Sequence, residues 1–336
     1  MNTTSPFVGQ VFNLLYRRVL LGTASGAQDG LGFSNAPQIT NVRNRGLKVC
    51  ARLQRSGAPV PASAFTLVEL LVLLAVVTVL VATLLPAMAK SRPNSLAFQC
   101  LNNHRQLCAA WRMYADDNRD RIVYSSDDGT GGSNPLNQYA WTWAHMDYSS
   151  ANRANWDTNV DIVLRPLWPY TGKDASIYKC PADSSYIVVN GVAKPRVRSM
   201  SMNLFLGGFA GTDGGLTMNS SYRLFLKTTD LTAPGPAKTF VFLDERWDVI
   251  NWGNFFTDMS GSYPNQPTLY SFTEDFPNML HDRGCGFSFA DGRAEIHRWV
   301  DPRTTPPLNS IISAGSTASP RNLDIAWLQD HATRPK

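Results

Sequence analysis

One long apolar run stands out in the first third of the chain. Residues 70–89 carry no charged side chain and are interrupted only by two threonines and Pro86. About 20 apolar residues at a rise of 1.5 Å per residue span the hydrocarbon core of a bilayer. A buried core helix is the alternative, but such helices seldom stay apolar on every face. The run therefore predicts a transmembrane helix, with one carboxylate, Glu69, at its start.

A second, amphipathic pattern follows this run directly. Apolar positions recur every three or four residues from Ala97 to Ala115, which is the period of a helix with one buried face. The positions are Ala97, Cys100, Leu101, His104, Leu107, Cys108, Trp111, Tyr114 and Ala115. We interpret His104, inside this stripe, as a core histidine and not as a metal ligand. The sequence "ADDNRDR" ends the helix, and because it lacks the glycine and the final glutamate of an EF-hand, we favour a solvated helix end over a calcium loop.

The pattern changes to short strands after residue 121. Strand-like runs alternate with segments rich in Gly, Pro, Asn and Ser: "YIVVN", "RVRSMSMNLFL", "KTFVFLDE" and "GFSFADGRAEIHRW". In the last run, Asp291-Gly292 suits a two-residue type I′ turn, which would pair Phe289 with Ala294 and Phe287 with Ile296. The chain is thus predicted to be α+β, with a long N-terminal helix packed on an antiparallel β-sheet domain with long loops.

Charge excludes one class of partner. The 336 residues carry a formal charge of +5, but seven of the cations and only one acid lie in residues 1–64. The remainder is close to neutral, and its arginines are interspersed with acids. A nucleic-acid-binding surface is therefore not predicted.

The string "AFTLVELL" resembles the processing signal of type IV prepilins and type II secretion pseudopilins. In that family a small residue precedes the cleavage site, Phe follows it, and Glu is the fifth residue of the mature chain. The resemblance implies that a prepilin peptidase cleaves between Ala64 and Phe65 and methylates the Phe65 amine. It further implies that Glu69 pairs with the terminal ammonium of a neighbouring subunit during assembly. The alternative for Glu69 is a solvated carboxylate at headgroup depth. Ala64 departs from the family, which mostly has Gly there.

The resemblance also implies a domain organisation and a location. Residues 1–64 would be a leader, or an upstream region included by a wrong start site, which we favour. The transmembrane and assembly helix would follow at 65–89, its amphipathic continuation at 90–120, the outer β-rich domain at 121–302 and a C-terminal tail at 303–336. A single pass through the bacterial inner membrane would place the C-terminal domain in the periplasm or at the cell surface.

A second block supports the same family. The spacing of His281 from Asp291 and Gly292 resembles the H-X9-DG block that closes a large group of prepilin-type proteins. The strings "CLNNHRQLCAAWRMYADDN", "LWPYTGKDASIYKCPAD", "RSMSMNLFLGG" and "VFLDERWDVINWGNFF" are similar to other blocks of that group in the same order. The resemblance covers roughly residues 64–300.

Four cysteines would remain in the mature chain, because Cys50 lies in the leader. Cys100 and Cys108 lie about 12 Å apart along one helix, too far for a disulfide, which needs Cα atoms within about 7 Å. Each must therefore reach Cys180 or Cys285, or stay free. The family blocks around Cys100 and Cys180 imply that these two are bonded, which leaves Cys108 with Cys285 as a second pair. Four reduced, buried thiols are the alternative.

No reaction is predicted. His281, Asp291 and His297 have the residue types of a catalytic or metal site, but their spacing fixes no geometry, and Asp291 already suits a turn. We likewise interpret the "LDER" carboxylates with Asp248 as a charge network at a strand end. Phosphate loops, serine nucleophile elbows and Cys-x-x-Cys pairs are absent from the sequence. No metal or cofactor is therefore predicted.

The sequence favours an assembly function: a pilus-like or pseudopilus subunit that meets a prepilin peptidase, other pilin-like subunits and the membrane. The main alternative is a membrane-anchored receptor that never polymerises and binds a carbohydrate or a partner through its loops. Its candidate residues are Trp141, Trp143, Trp156, Trp168, Trp247, Trp252 and Trp299. We interpret these rings as filling a loop-rich core. A periplasmic hydrolase is a third, weaker hypothesis.

Overall fold

The structure is a computed structural model that describes residues 66–130, 132–215, 221–308 and 315–336. Within the first range, the side chains at 81–95 are outside the description. The predicted leader, Cys50 and the predicted cleavage site at Ala64 and Phe65 lie outside the described residues.

Helix α1 spans Leu67–Asp117. Thr66 caps its N-terminus: the hydroxyl of Thr66 accepts from the backbone N–H of Glu69 at 3.3 Å, and the Thr66 N–H and hydroxyl each donate to Oε2 of Glu69 at 2.9 Å. This reciprocal arrangement is a capping box, which satisfies donors that the first turn leaves free. Glu69 therefore stabilises the start of its own helix.

The predicted membrane half of α1 and the predicted inner-membrane location are both wrong on the described residues. Across the described side chains, which leave a gap at 81–95, no helical stretch is both long and apolar enough to cross a membrane. The apolar part that is described, residues 67–80, is shorter than the roughly 20 residues that a bilayer requires and contains Glu69. The pilin-like fold with a membrane-spanning helix is corrected accordingly; the α+β class with a multi-stranded sheet remains.

The amphipathic half of α1 is confirmed. Of the nine positions predicted to face the domain, Ala97 and Leu101 are half-buried and the rest are buried. The polar pattern also predicts an exposed opposite side, and Arg105, Gln106, Arg112 and Asp116 are exposed, but Asn103 of that set is half-buried and donates to the carbonyl of Lys179 at 3.0 Å. The helix ends at Asp117, and Asn118 caps it by donating to the carbonyl of Tyr114 at 2.7 Å.

Nine strands follow among the described residues, and five of them form the central sheet. Their bounds are β1 Tyr186–Val189, β2 Val192–Pro195, β3 Met200–Asn203, β4 Phe240–Asp244, β5 Asn254–Phe255, β6 Ser271–Thr273, β7 Gly284–Phe289, β8 Ala294–Arg298 and β9 Ser316–Ala318. The central order is β5-β3-β4-β7-β8, while β1 pairs with β2 and β6 with β9. The sheet is mixed, not antiparallel throughout as predicted, because β5 runs parallel to β3.

Both faces of the central sheet are covered. On one face, Leu107 and Trp111 of α1 pack with Met202 and Phe242. On the other face, a second helix, α2 (Leu323–Ala332), belongs to a core with Leu243 and Phe287. Every residue of β3, β4 and β7 is consequently buried. The segment 303–336, predicted to be a tail, thus supplies part of the core.

The hairpin at Asp291-Gly292 forms, but its predicted register is wrong by one residue. Ser288 pairs with Ala294 and Phe287 with Glu295. The N–H of Gly292 donates to the carbonyl of Phe289 at 2.8 Å, and Gly292 has a φ of +95°. A turn closed by a left-handed glycine is the three-residue hairpin loop, in place of the two-residue type I′ turn. The extra loop residue shifts every pair along the two strands.

Candidate functional site

The predicted assembly residues lie on an exposed part of α1. Every described side chain from Thr66 to Leu80 is exposed, and the large apolar ones at 67–79 are between 47% and 74% exposed. We call residues 67–79 the apolar segment. Monomeric proteins rarely expose a contiguous apolar surface of this kind, and where they do it usually marks a site of contact with another molecule.

The two parts of the H-X9-DG block do not form one site. His281 precedes β7, and Asp291 and Gly292 follow it, so that the strand separates them by about 20 Å. The glycine provides the turn, as predicted for this pair. His297 is also elsewhere, because its ring stacks on that of Trp327 with the ring centroids 3.8 Å apart. His281, Asp291 and His297, whose residue types alone would have allowed a catalytic or metal site, are therefore not brought together.

His281 instead belongs to a buried group that the sequence analysis missed. Potential ligand atoms of Cys100, Cys180, Asp244 and His281 all lie within 4.8 Å of one another. All four residues are buried. We call these four residues the Cys–Asp–His cluster.

Four separate elements bring the cluster together. Cys100 lies on the buried face of α1, and Asp244 is the last residue of β4. Cys180 follows a short 3₁₀ helix, and its N–H donates to the hydroxyl of Ser199 at 2.7 Å. His281 lies in the turn before β7, whose ends are joined by a hydrogen bond from the Gly284 N–H to the His281 carbonyl at 3.1 Å. Backbone hydrogen bonds thus fix the positions of Cys180 and His281, the two cluster residues that lie in loops.

The side chains of the cluster contact each other in pairs. The Cys100 thiol donates to Oδ2 of Asp244 at 2.9 Å, and Sγ of Cys180 lies 3.2 Å from Nε2 of His281. The hydroxyl of Ser199 donates to Oδ1 of Asp244 at 3.4 Å. Each of the four side chains thus has a polar partner inside the protein.

His104 adjoins the cluster from α1. It is fully buried, as predicted for a core histidine. Its Nε2 lies 3.4 Å from Oδ2 of Asp244, but neither ring nitrogen has a hydrogen-bond partner among the described residues. Gly286 on β7 makes room for this ring, since a Cβ there would lie 2.6 Å from Nε2 of His104.

Electrostatics couples the four groups. The hydrogen bond between the two thiols raises the pKa of Cys100 and lowers that of Cys180. Burial lowers the pKa of His281, but the contact with Cys180 outweighs burial and leaves that pKa raised. Burial raises the pKa of Asp244, but His104 and the Cys100 thiol lower it by more. The charged forms of Cys180, Asp244 and His281 are therefore each stabilised by their neighbours.

The predicted disulfides are not present. Cys100, Cys108, Cys180 and Cys285 are all free, buried thiols. Cys100 and Cys180 are neighbours, as the family blocks implied, but they are not bonded. Cys108 donates to the carbonyl of Phe289 and Cys285 to that of Asp244, each at 3.1 Å.

The remaining "LDER" residues form a buried charge network, as predicted. Arg246 donates to both carboxylate oxygens of Asp248, at 2.9 Å and 2.6 Å. Glu245 accepts from Ser201 at 2.5 Å and lies beside Asp275 and Arg198. Burial raises the pKa of Glu245 well above its usual range and that of Asp275 to about 7.

The loop tryptophans do not form an open stacking surface. Trp141 and Trp299 are buried, and four more are half-buried. Trp143 is exposed, but the guanidinium of Arg165 lies over its ring at 4.0 Å. The arrangement agrees with rings that fill and cover a loop-rich core.

Comparison with known proteins gave no match, whether to a family model, to a curated protein or to a solved structure.

Proposed function

We propose that this protein is a structural subunit of a type IV pilus-like or type II secretion pseudopilus-like fibre. A prepilin peptidase would cleave it before Phe65 and methylate the new amine. The protein would work by assembly and would catalyse no reaction. The proposal rests on the resemblance of "AFTLVELL" to the prepilin signal, together with the apolar segment.

The exposure of the apolar segment is the observation that carries the proposal. Large apolar side chains at 67–79 surround α1 on every side, so no single face of the isolated subunit covers them. The hydrophobic effect favours burying such a surface, at about 25 cal/mol for each Å² removed from water. Packing against the same segment of neighbouring copies would bury all faces at once, as in a bundle of helices.

Glu69 gives the assembly a specific contact. In the free subunit its carboxylate is held by Thr66. An ammonium at Phe65 of the next copy would add an opposite charge to a carboxylate that already accepts a charge-assisted hydrogen bond from the Thr66 N–H. A contact at this one position would fix the stagger between copies.

Fibre incorporation of Glu69→Ala tests this proposal. The matched control is Asp116→Ala, which removes another exposed acid from the same helix. The chain is produced together with a prepilin peptidase, and sheared fibres are analysed by mass spectrometry. We expect a methylated Phe65 at the mature N-terminus, loss of incorporation for Glu69→Ala and normal incorporation for Asp116→Ala. An uncleaved chain, or equal incorporation of both variants, would refute the assembly function.

A further inference from the structure

We propose that the Cys–Asp–His cluster is a structural zinc site, in which Cys100, Cys180, Asp244 and His281 bind one Zn²⁺. The site is independent of the fibre function, because none of its residues belongs to the apolar segment. It would join α1 to the sheet and to two of the loops.

The geometry fits four-coordinate zinc. Zinc binds sulfur at about 2.3 Å and nitrogen or oxygen at about 2.0–2.2 Å, so neighbouring ligands of a tetrahedral site lie about 3.3–3.8 Å apart. Two ligand pairs of the cluster lie 2.9 Å and 3.2 Å apart, and the whole set is contained within 4.8 Å. Shifts of up to about 1 Å, within the freedom of the side-chain torsions, would bring the four ligand atoms to the spacing of a tetrahedron.

The chemistry of the ligands selects zinc among the common ions. Two thiolates and an imidazole suit a borderline-soft ion, whereas Ca²⁺ and Mg²⁺ prefer oxygen ligands only. Binding breaks the two S–H bonds and releases both protons to solvent, while Asp244 binds as a carboxylate and His281 as a neutral imidazole. Two thiolates, one carboxylate and a divalent cation leave a net charge of −1 in the site.

Neighbouring groups are placed to stabilise that charge. Ser199 donates to Oδ1 of Asp244. Nε2 of His104 lies 3.4 Å from Oδ2, which places this ring directly against the carboxylate. Such outer contacts orient a ligating carboxylate and tune its basicity.

Burial argues against a nucleophilic role for Cys180. The pair formed by Cys180 and His281 has the residue types of a cysteine nucleophile and its base. However, Cys180 is completely buried, and a substrate could not reach its sulfur. Four protein ligands with no open position are the arrangement of structural zinc sites.

Metal analysis of the reduced, full-length protein tests the site. Zinc is measured by mass spectrometry after purification without chelator, and the stripped protein is titrated with Co²⁺ and then Zn²⁺. We expect one equivalent of zinc in the purified protein. In the titration, Co²⁺ should give the visible bands of a tetrahedral ion and a thiolate-to-cobalt charge-transfer band, and added Zn²⁺ should abolish both sets of bands. Because the cobalt spectrum uses the wild-type chain, it remains decisive even if a variant fails to fold.

Variants identify the ligands. Cys100→Ser and Cys180→Ser should lose the metal, whereas Cys108→Ser, which removes an equally buried thiol from the same helix, should retain one equivalent. Three results would overturn the proposal: no metal uptake by the reduced wild type, equal loss in Cys108→Ser, or a Cys100–Cys180 disulfide in protein that takes up no zinc after reduction.

Discussion

Sγ of Cys180 lies 3.2 Å from Nε2 of His281, although 101 residues separate them in the sequence. This contact explains a histidine whose role the sequence left open. His281 is close in sequence to Asp291 and Gly292, yet it faces a cysteine on a distant loop. The first half of the H-X9-DG block therefore belongs to the cluster, and the second half to a turn.

His104→Gln should weaken zinc binding without removing it. The variant keeps a polar side chain beside Asp244 but loses the ring, and loss of an outer-shell contact typically costs about 10–100-fold in metal affinity. Competition with a chromophoric chelator measures the change. Unchanged affinity would show that His104 does not orient the carboxylate.

Gly286→Ala should destabilise the protein by overpacking. The new methyl group would lie 2.6 Å from Nε2 of His104 and 2.9 Å from Oδ2 of Asp244, and crowding of this kind typically costs about 1–3 kcal/mol. Urea denaturation measures the loss. In the double variant with His104→Ala, the two effects should be less than additive, because the smaller side chain makes room. Strict additivity would contradict this contact.

Gly292→Ala should weaken the hairpin but leave zinc binding intact. At a φ of +95°, an L-residue costs about 1–2 kcal/mol more than glycine. Thermal unfolding should therefore shift down while the zinc content stays at one equivalent. Loss of zinc at normal stability would instead place the turn and His281 in one functional unit.

Asp275→Asn should flatten the dependence of stability on pH. Burial raises the pKa of Asp275 to about 7, so the native state keeps a proton that the unfolded chain, with a pKa of about 3.9, loses. Stability is therefore fully present at low pH and is lost as the pH rises from about 4 to about 7. Urea denaturation across this range should show a shallower slope for the variant. Asp116→Asn, at an exposed position, should keep the wild-type slope.

A chain that begins at residue 90 should fold and bind zinc. The apolar segment is exposed, and the cores are built from residues that start at Leu107. Thermal unfolding should change by a few degrees at most, and gel filtration should show a monomer. Loss of cooperative unfolding would mean that the stability of the β-sheet domain depends on the apolar segment.

Features with a regular period could be predicted from the sequence. The stripe from Ala97 to Ala115 follows the helical repeat, and the strand-like runs contain β1, β3, β4 and β8 and all of β7 except its first two residues. The hairpin register could not be predicted, because Asp-Gly suits both two-residue and three-residue loops and one extra residue shifts every pair. The membrane prediction rested on the apolar run and on the family resemblance, and composition does not distinguish a membrane span from an apolar helix with an exposed surface.

The cluster itself gave no sequence signal. Its ligands lie at positions 100, 180, 244 and 281, without the short spacing that marks most zinc sites. The family blocks did suggest that Cys100 and Cys180 meet, but the sequence pointed to a disulfide. Only the packing of α1 on β4 and β7 brings the carboxylate and the imidazole to the two sulfurs.

Helix α1 carries the apolar segment at one end and Cys100 further along. In a fibre, mechanical tension between subunits would act on each copy at the apolar segment and would be transmitted along the axis of α1. The load would then act on the zinc site as shear, because Cys100 lies on α1 and the other three ligands lie in the domain that packs against it. Loss of the ion would leave helix α1 attached by apolar packing and by single hydrogen bonds, such as that from Cys108 to the carbonyl of Phe289, and this joint would resist shear less well.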